Sequence, residues 1–267
     1  MPTVLYLEER MITKEAIMKK LNTDSKYAEN VYTESVQAGS RQQNNSRIST
    51  MGMVQVAIFG AIICIMAFTP FLGYIPLGFT RATIIHIPVI VASLLLGPKK
   101  GAALGFLFGL TSFINNTMNP TPTSFVFTPF YSIGDGGNWV SSIGSLIICF
   151  VPRTLVGVVP FYVYKLAMRI SRKKDGVSNT GLILAGVSGA LVNTLLVMNL
   201  IFVFFRKSYA AANEVAVSAV YTFILSIIGI NGVPEAIVAG ILTLCIGKVL
   251  LRKNVRMRLG IRNDFGY

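Results

Sequence analysis

Acidic residues are scarce in this sequence: eleven Asp and Glu stand against 24 Lys and Arg among 267 residues. Histidine occurs once, as His86, and tryptophan once, as Trp139. A lone histidine cannot build a multi-histidine metal centre, and no Cys or carboxylate lies near it in sequence to help. No H-E-x-x-H motif, nucleophile elbow or pair of catalytic acids is found. The three cysteines, Cys64, Cys149 and Cys245, fall inside apolar runs at no metal-ligand spacing, so they read as small packing residues. No metal site and no cofactor are expected. A G-x-x-x-x-G-K-S/T loop is also missing, so any ATP hydrolysis belongs to other chains. The first residues show no short basic region followed by an apolar one, and no signal peptide is expected.

What the chain has is apolar length. It is 53% hydrophobic and 13% charged, with mean hydropathy +0.63. The segments Gly52 to Phe71, Val140 to Ala167 and Gly181 to Phe205 hold a single charge up to Lys165, namely Arg153. About 20 residues at ~1.5 Å rise cover the ~30 Å of bilayer hydrocarbon. The fold class expected is therefore an all-α membrane protein of the cell membrane, with multiple passes through the lipid bilayer. The formal charge of +13 would suggest nucleic acid in a soluble protein. Here the basic residues sit at span ends, a pattern of membrane topology, and no nucleic-acid partner is expected.

Six transmembrane helices are expected, near 52–71, 82–96, 101–117, 140–168, 180–205 and 232–251. Cytoplasmic links are rich in Lys and Arg. The link Gly97-Pro98-Lys99-Lys100-Gly101, the run Arg169 to Lys174 and the tail Arg252 to Arg262 are all basic. Six spans with the N-terminus and C-terminus cytoplasmic put all three inside. A seventh apolar stretch, Val215 to Ile230, would reverse the tail if it crossed. It reads as a re-entrant or interfacial helix or as an extended start of the last span, with a break at Asn231-Gly232. The domains expected are a partly disordered cytoplasmic tail over 1–50, a six-helix substrate-binding domain over 51–252, and a basic cytoplasmic tail over 253–267. The long link Asn115 to Trp139, rich in Pro, Gly, Asn and aromatics, reads as a lid. Leu72 to Arg81 is shorter and similar.

Three features together point to a family. The run IHIPVIVASLLLGPKKGAALGFLFGLTSF, Ile85 to Phe113, resembles the span 2–span 3 signature of the substrate-binding subunits of energy-coupling-factor (ECF) vitamin transporters. The small-residue run AIFGA in the first span and the six-span plan are similar too. The resemblance covers residues 52 to 251. It implies a subunit, not an enzyme, that captures a vitamin from outside. It also implies a membrane coupling subunit and two cytoplasmic ATPase subunits as partners. The wording IHIPVI and GPKKGA resembles the pantothenate-type subunits most. In this family small residues of the first span dock the membrane partner, which implicates Ala57, Gly60 and Ala61. Packing within the chain fits the same spacing.

Candidate ligand contacts follow from polar groups at membrane depth. Arg153 is expensive there, by roughly 2.5–3.5 kcal/mol on insertion scales, so it faces either a ligand carboxylate or a structural partner such as Glu235. Asn193 shares a helix face with Gly186, Gly189 and Ala190. Its amide would meet a ligand or a neighbouring helix, while the glycines read as packing. Asn199 is a weaker candidate. Glu235, after Asn231-Gly232, would accept ligand hydroxyls, balance Arg153, or sit on a helix dipole. Arg81, Tyr131, Asn138 and Trp139 would close over a ligand from the links, with the interfacial aromatic belt as the plainer use of Tyr131 and Trp139. His86 reads as packed or ligand-adjacent. Two other classes stay open on sequence alone. A membrane enzyme would need His86, Asp135 and Glu235 as a cluster. A secondary transporter would need mid-membrane coupling acids and internal repeats.

Overall fold

The computed structural model describes residues 22–23, 25–27, 29–34, 50–69, 73–76, 81–130, 139–171, 177–252, 255 and 257. The chain divides into two units, Met1–Thr50 and Met51–Tyr267. In the first, the described residues are mainly helical and exposed. The second is built from helices α1 (Thr50–Phe68), α2 (His86–Leu96), α3 (Pro98–Met118) and α4 (Trp139–Val156). These are followed by α5 (Val159–Ile170), α6 (Asn179–Ala212), α7 (Val220–Ile227) and α8 (Val233–Leu250).

A helix that is apolar all round must be buried all round. That describes α2, in which ten of eleven residues are buried and the first of them is His86. It touches α3, α4, α5, α6 and α8 and is the axis of the larger hydrophobic cluster. Gly97 adopts φ +86°, a conformation open to glycine, and turns the chain so that Pro98 can begin α3.

The remaining helices close-pack through glycine. On α3, Gly101, Gly105 and Gly109 recur every fourth residue and so share one face. They lie against Gly157, Arg153–Thr154 and Cys149–Phe150 of the α4 segment. A Cβ on Gly101 would come within 2.1 Å of the Gly157 carbonyl oxygen, so the two backbones are in direct contact. The α6–α8 pair repeats the device. Gly186 abuts Ala239 and Gly240, and Gly247 abuts Leu182. The glycine-rich face of α6 is thus a packing surface, as its spacing suggests.

Four helical stretches among the described residues are long and apolar enough to cross a membrane: Met51–Phe68, Trp139–Ile170, Asn179–Ala212 and Val217–Leu250. The other two expected spans are helices of a different kind. α2 is short, and α3 has the length but carries Lys99, Lys100, Asn115 and Asn116. Val215 to Ile230 does not form a separate element. From Val217 a 3-10 turn, α7 and a π-helical turn (Ile228–Gly232) run on into α8 as one helical stretch. The expected break at Asn231-Gly232 is a local widening of the helix instead. The fold also departs from all-α. Strands β1 (Tyr74–Pro76) and β2 (Arg81–Thr83) pair antiparallel just before α2.

A second hydrophobic cluster joins the far half of α6 to α7. Phe125 and Val126, from a 3-10 turn after α3, fold down into it, with Phe125 edge-on to Phe205 at 5.8 Å. Ser124 holds this turn by accepting from the Thr121 N–H and donating to Asn116. The link after α3 is therefore a packed cap over the residues described, 119–130.

Candidate functional site

Arg153 owes its setting to the residue before it. Pro152 lies inside α4 and has no N–H, so the carbonyl of Ile148, four residues back, loses its helical donor. The Arg153 guanidinium donates to that carbonyl from Nη1 at 2.6 Å. The same group lies over the rings of Phe127, at 4.9 Å, and Phe108, at 5.8 Å. Arg153 is 7% exposed, and its Nε has no hydrogen-bond partner. Arg153 and Glu235 form no direct ion pair, although the two charges lie close enough to act on each other.

Glu235 is engaged elsewhere. Its Oε1 accepts from the Thr83 backbone N–H at 3.2 Å and faces His86 Nδ1 at 3.4 Å. Its Oε2 accepts from Thr194 Oγ1 at 3.4 Å. The β-hairpin is what delivers the Thr83 N–H, because β2 ends there, three residues before His86. A helix dipole does not account for Glu235. Gly232 is itself helical and the stretch begins at Val217, so no free helix end lies beside it.

The glycine contacts fix a common level for these groups. Gly144 of α4 meets Phe204 of α6, and Gly181 of α6 meets Tyr164 of α5, so α6 runs antiparallel to both. Nine residues on from Gly144, Arg153 stands level with a point nine residues before Phe204, within a turn of Asn193 and Thr194. On the other flank, Gly232 lies under Thr194 and Gly186 against Ala239, so α6 and α8 are antiparallel and Thr194 meets the start of α8. Ile90 of α2 packs on Gly189. His86 is one turn before Ile90, and Asn193 one turn after Gly189, on the same helix faces. Arg153, Asn193, Thr194, Glu235 and His86 thus form one polar layer across α2, α4, α6 and α8. Asn231, buried in the π-helical turn, adjoins it; such turns recur at functional sites.

Four atoms in this layer are buried without a hydrogen-bond partner: Arg153 Nε, Asn193 Oδ1 and both ring nitrogens of His86, of which Nδ1 has only the 3.4 Å contact with Glu235. A buried polar atom left unpaired costs about 1–3 kcal/mol, and an uncompensated charge more. The layer therefore suits a bound molecule that has an anionic end and further hydrogen-bonding groups. Among the described residues no group of three or more His, Cys, Asp or Glu could hold a metal.

The other expected contacts stand elsewhere on the helices, or have side chains outside the described residues. Asn199 is exposed and donates to the Leu195 carbonyl of its own helix. Trp139, at the start of α4, is 85% exposed. Arg81 lies in β2, where its backbone pairs with Pro76. Tyr131 and Asn138 lie outside the described residues. On α1, Ala57 and Ala61 are exposed beside Ile58, Ile62 and Ile65, while Gly60 is buried against Leu107. A surface groove of about 390 Å³ at Phe202–Ser208 takes in none of these groups. Sequence reasoning missed Thr194, Phe127, Phe108 and the Thr83 N–H. Only the Pro152–Arg153 step carried a signal, a carbonyl freed beside a buried cation.

A multi-pass helical protein with an enclosed polar layer that holds a buried cation is of the class that takes up small polar solutes. Residues 52–247 match the family described as ECF transporter, substrate-specific component. The chain belongs to that family, a transporter's substrate-binding component in the cell membrane and not an enzyme. It is 36% identical, over 201 residues, to the pantothenic acid transporter PanT of Lactococcus lactis subsp. cremoris, covering 74% of this chain and 92% of that protein. It is 29% identical, over 226 residues, to the pantothenate transporter PanT of Leuconostoc mesenteroides subsp. mesenteroides, covering 81% and 99%. His86 and Glu235 do meet, as an interfacial enzyme would require, but the family is one of transporter substrate-binding components.

Proposed function

We propose that this chain binds pantothenate from outside the cell as the substrate component of an ECF transporter. A membrane coupling subunit and two cytoplasmic ATPase subunits would drive uptake. The observation that carries the reading is Arg153, a buried cation with no carboxylate in direct ion-pair contact among the described residues. A planar guanidinium takes a carboxylate bidentately, and pantothenate ends in one. The relatives named above support that choice among vitamins.

The orientation proposed is six crossings with both termini cytoplasmic, α2 and α3 included. The basic links at Lys99-Lys100 and Arg169 to Lys174 support it. The cap over 119–130 and the β-hairpin then face outward, and the links bearing Arg81, Tyr131 and Asn138 would close the pocket. The exposed Ala57–Ala61 face of α1 would meet the coupling subunit, where small residues permit close approach.

The test is thermal stabilisation of the purified protein by a panel of vitamins, confirmed by binding of labelled ligand. Saturable pantothenate binding, lost in Arg153→Ala, is expected. Tight binding of another vitamin would keep the family role and discard pantothenate. Pantothenate binding unchanged in Arg153→Ala would remove the carboxylate contact.

A further inference from the structure

Two of the unpartnered atoms in the polar layer, Asn193 Oδ1 and His86 Nε2, lie away from Arg153 and are of one chemical kind. Asn193 Oδ1 is an acceptor. His86 Nε2 becomes one when the imidazole proton sits on Nδ1, and the nitrogen that carries the proton is set by what the other faces. Nδ1 faces Glu235 Oε1 at 3.4 Å, and that oxygen is fixed by the Thr83 N–H. The other oxygen of Glu235 is occupied by Thr194. Both oxygens of Glu235 are already engaged within the protein. What Glu235 can do is hold the proton of His86 on Nδ1 and leave Nε2 as a lone pair. His86 is 1% exposed and Asn193 7%, so water does not serve these acceptors cheaply.

We infer that His86 and Asn193 form a second subsite, which reads hydrogen-bond donors on the ligand, with Glu235 as the positioning residue for the imidazole. This rests on the functional reading above and extends it. Arg153 takes the carboxylate, and the two hydroxyl groups of the same molecule donate to His86 Nε2 and Asn193 Oδ1. A site built to bond a hydroxyl rejects the analogue lacking it far more strongly than a site that merely encloses it. The subsite would therefore select hydroxylated acids over plain acyl amino acids of the same length.

The experiment measures Kd for pantothenate, for its analogue with both hydroxyls replaced by hydrogen, and for panthenol, which keeps the hydroxyls and lacks the carboxylate. The wild type should prefer pantothenate to the deoxygenated analogue by about a hundredfold, two buried donors being lost. His86→Phe and Asn193→Leu should each cut that preference about tenfold. They should leave the pantothenate-to-panthenol ratio as it was. Glu235→Gln, which preserves shape and the acceptor for Thr83, should lower the hydroxyl preference in the same way. A merely structural role would weaken all three ligands alike. Equal wild-type affinity for pantothenate and the deoxygenated analogue would overturn the assignment without any variant. So would an unchanged preference in His86→Phe. If the wild type failed to bind pantothenate at all, the functional reading would fall first and this subsite with it.

Discussion

Gly105→Ala adds one methyl group, and its effect should spread along the whole α3–α4 seam. The new Cβ would lie 2.3 Å from the Arg153 carbonyl oxygen and 2.9 Å from the Thr154 Cα, where ordinary contact begins at 3.4 Å. The shortfall is about 1 Å, and both obstacles are backbone, which cannot rotate aside. The helices must part, and the contacts at Gly101 and Gly109 must loosen with them. Overpacking of this kind costs about 1–3 kcal/mol, and a seam made of backbone belongs at the upper end. Three kcal/mol is roughly a hundredfold in an opening equilibrium. Cys149 reports it, because its thiol is buried in the seam and donates to the Gly109 carbonyl at 3.2 Å. With Cys64→Ala and Cys245→Ala as background, Cys149 is the single thiol. A fluorogenic maleimide should then label Gly105→Ala about ten- to a hundredfold faster than its parent, as local opening governs access. Gly229→Ala is the control, since a Cβ there meets nothing within 4 Å. Parent-like labelling of Gly105→Ala would refute the reasoning that the seam is closed by backbone contact.

Phe127→Ala removes the nearer ring over Arg153; at about 1–2 kcal/mol for a desolvated cation–π contact, pantothenate should bind roughly five- to thirtyfold more weakly, read by labelled-ligand titration. Asn199→Ala should leave that Kd within twofold, because its amide is spent on its own helix. Ala57→Trp and Ala61→Trp should abolish uptake by cells while the purified protein still binds ligand, both side chains being exposed on α1. Loss of binding in those variants would count against a docking face.

Segregation of charge made the helical membrane plan legible, and the GPKKG turn was legible because only glycine tolerates the φ it needs and proline opens a helix well. Arg153 and Asn193 were legible as candidates because an apolar span makes any polar group conspicuous. Their partners were not. The Thr83 N–H belongs to the main chain and leaves no mark in composition, and a three-residue strand is too short to show a period. Glu235 looked like a helix-start acid because Asn231, Gly232 and Pro234 resemble a break. Cooperative packing of α7 onto α6 carries the helix through that point and absorbs the irregularity as a π turn. Phe127 and Phe108 are remote from Arg153 in sequence, and aromatic residues are too common in membrane helices to single out which pair meets a cation.

The brevity of α2 has a consequence for how the protein is made. Eleven residues rise only about 16 Å, half the hydrocarbon thickness. Left alone in lipid, its terminal N–H and C=O groups would be stranded. Its neighbours α6 and α8 are synthesised about 90 to 160 residues later. The helix cannot reach its final position until they arrive. Enclosure of α2 is therefore completed only after most of the chain has been made, when the walls that surround it are in place.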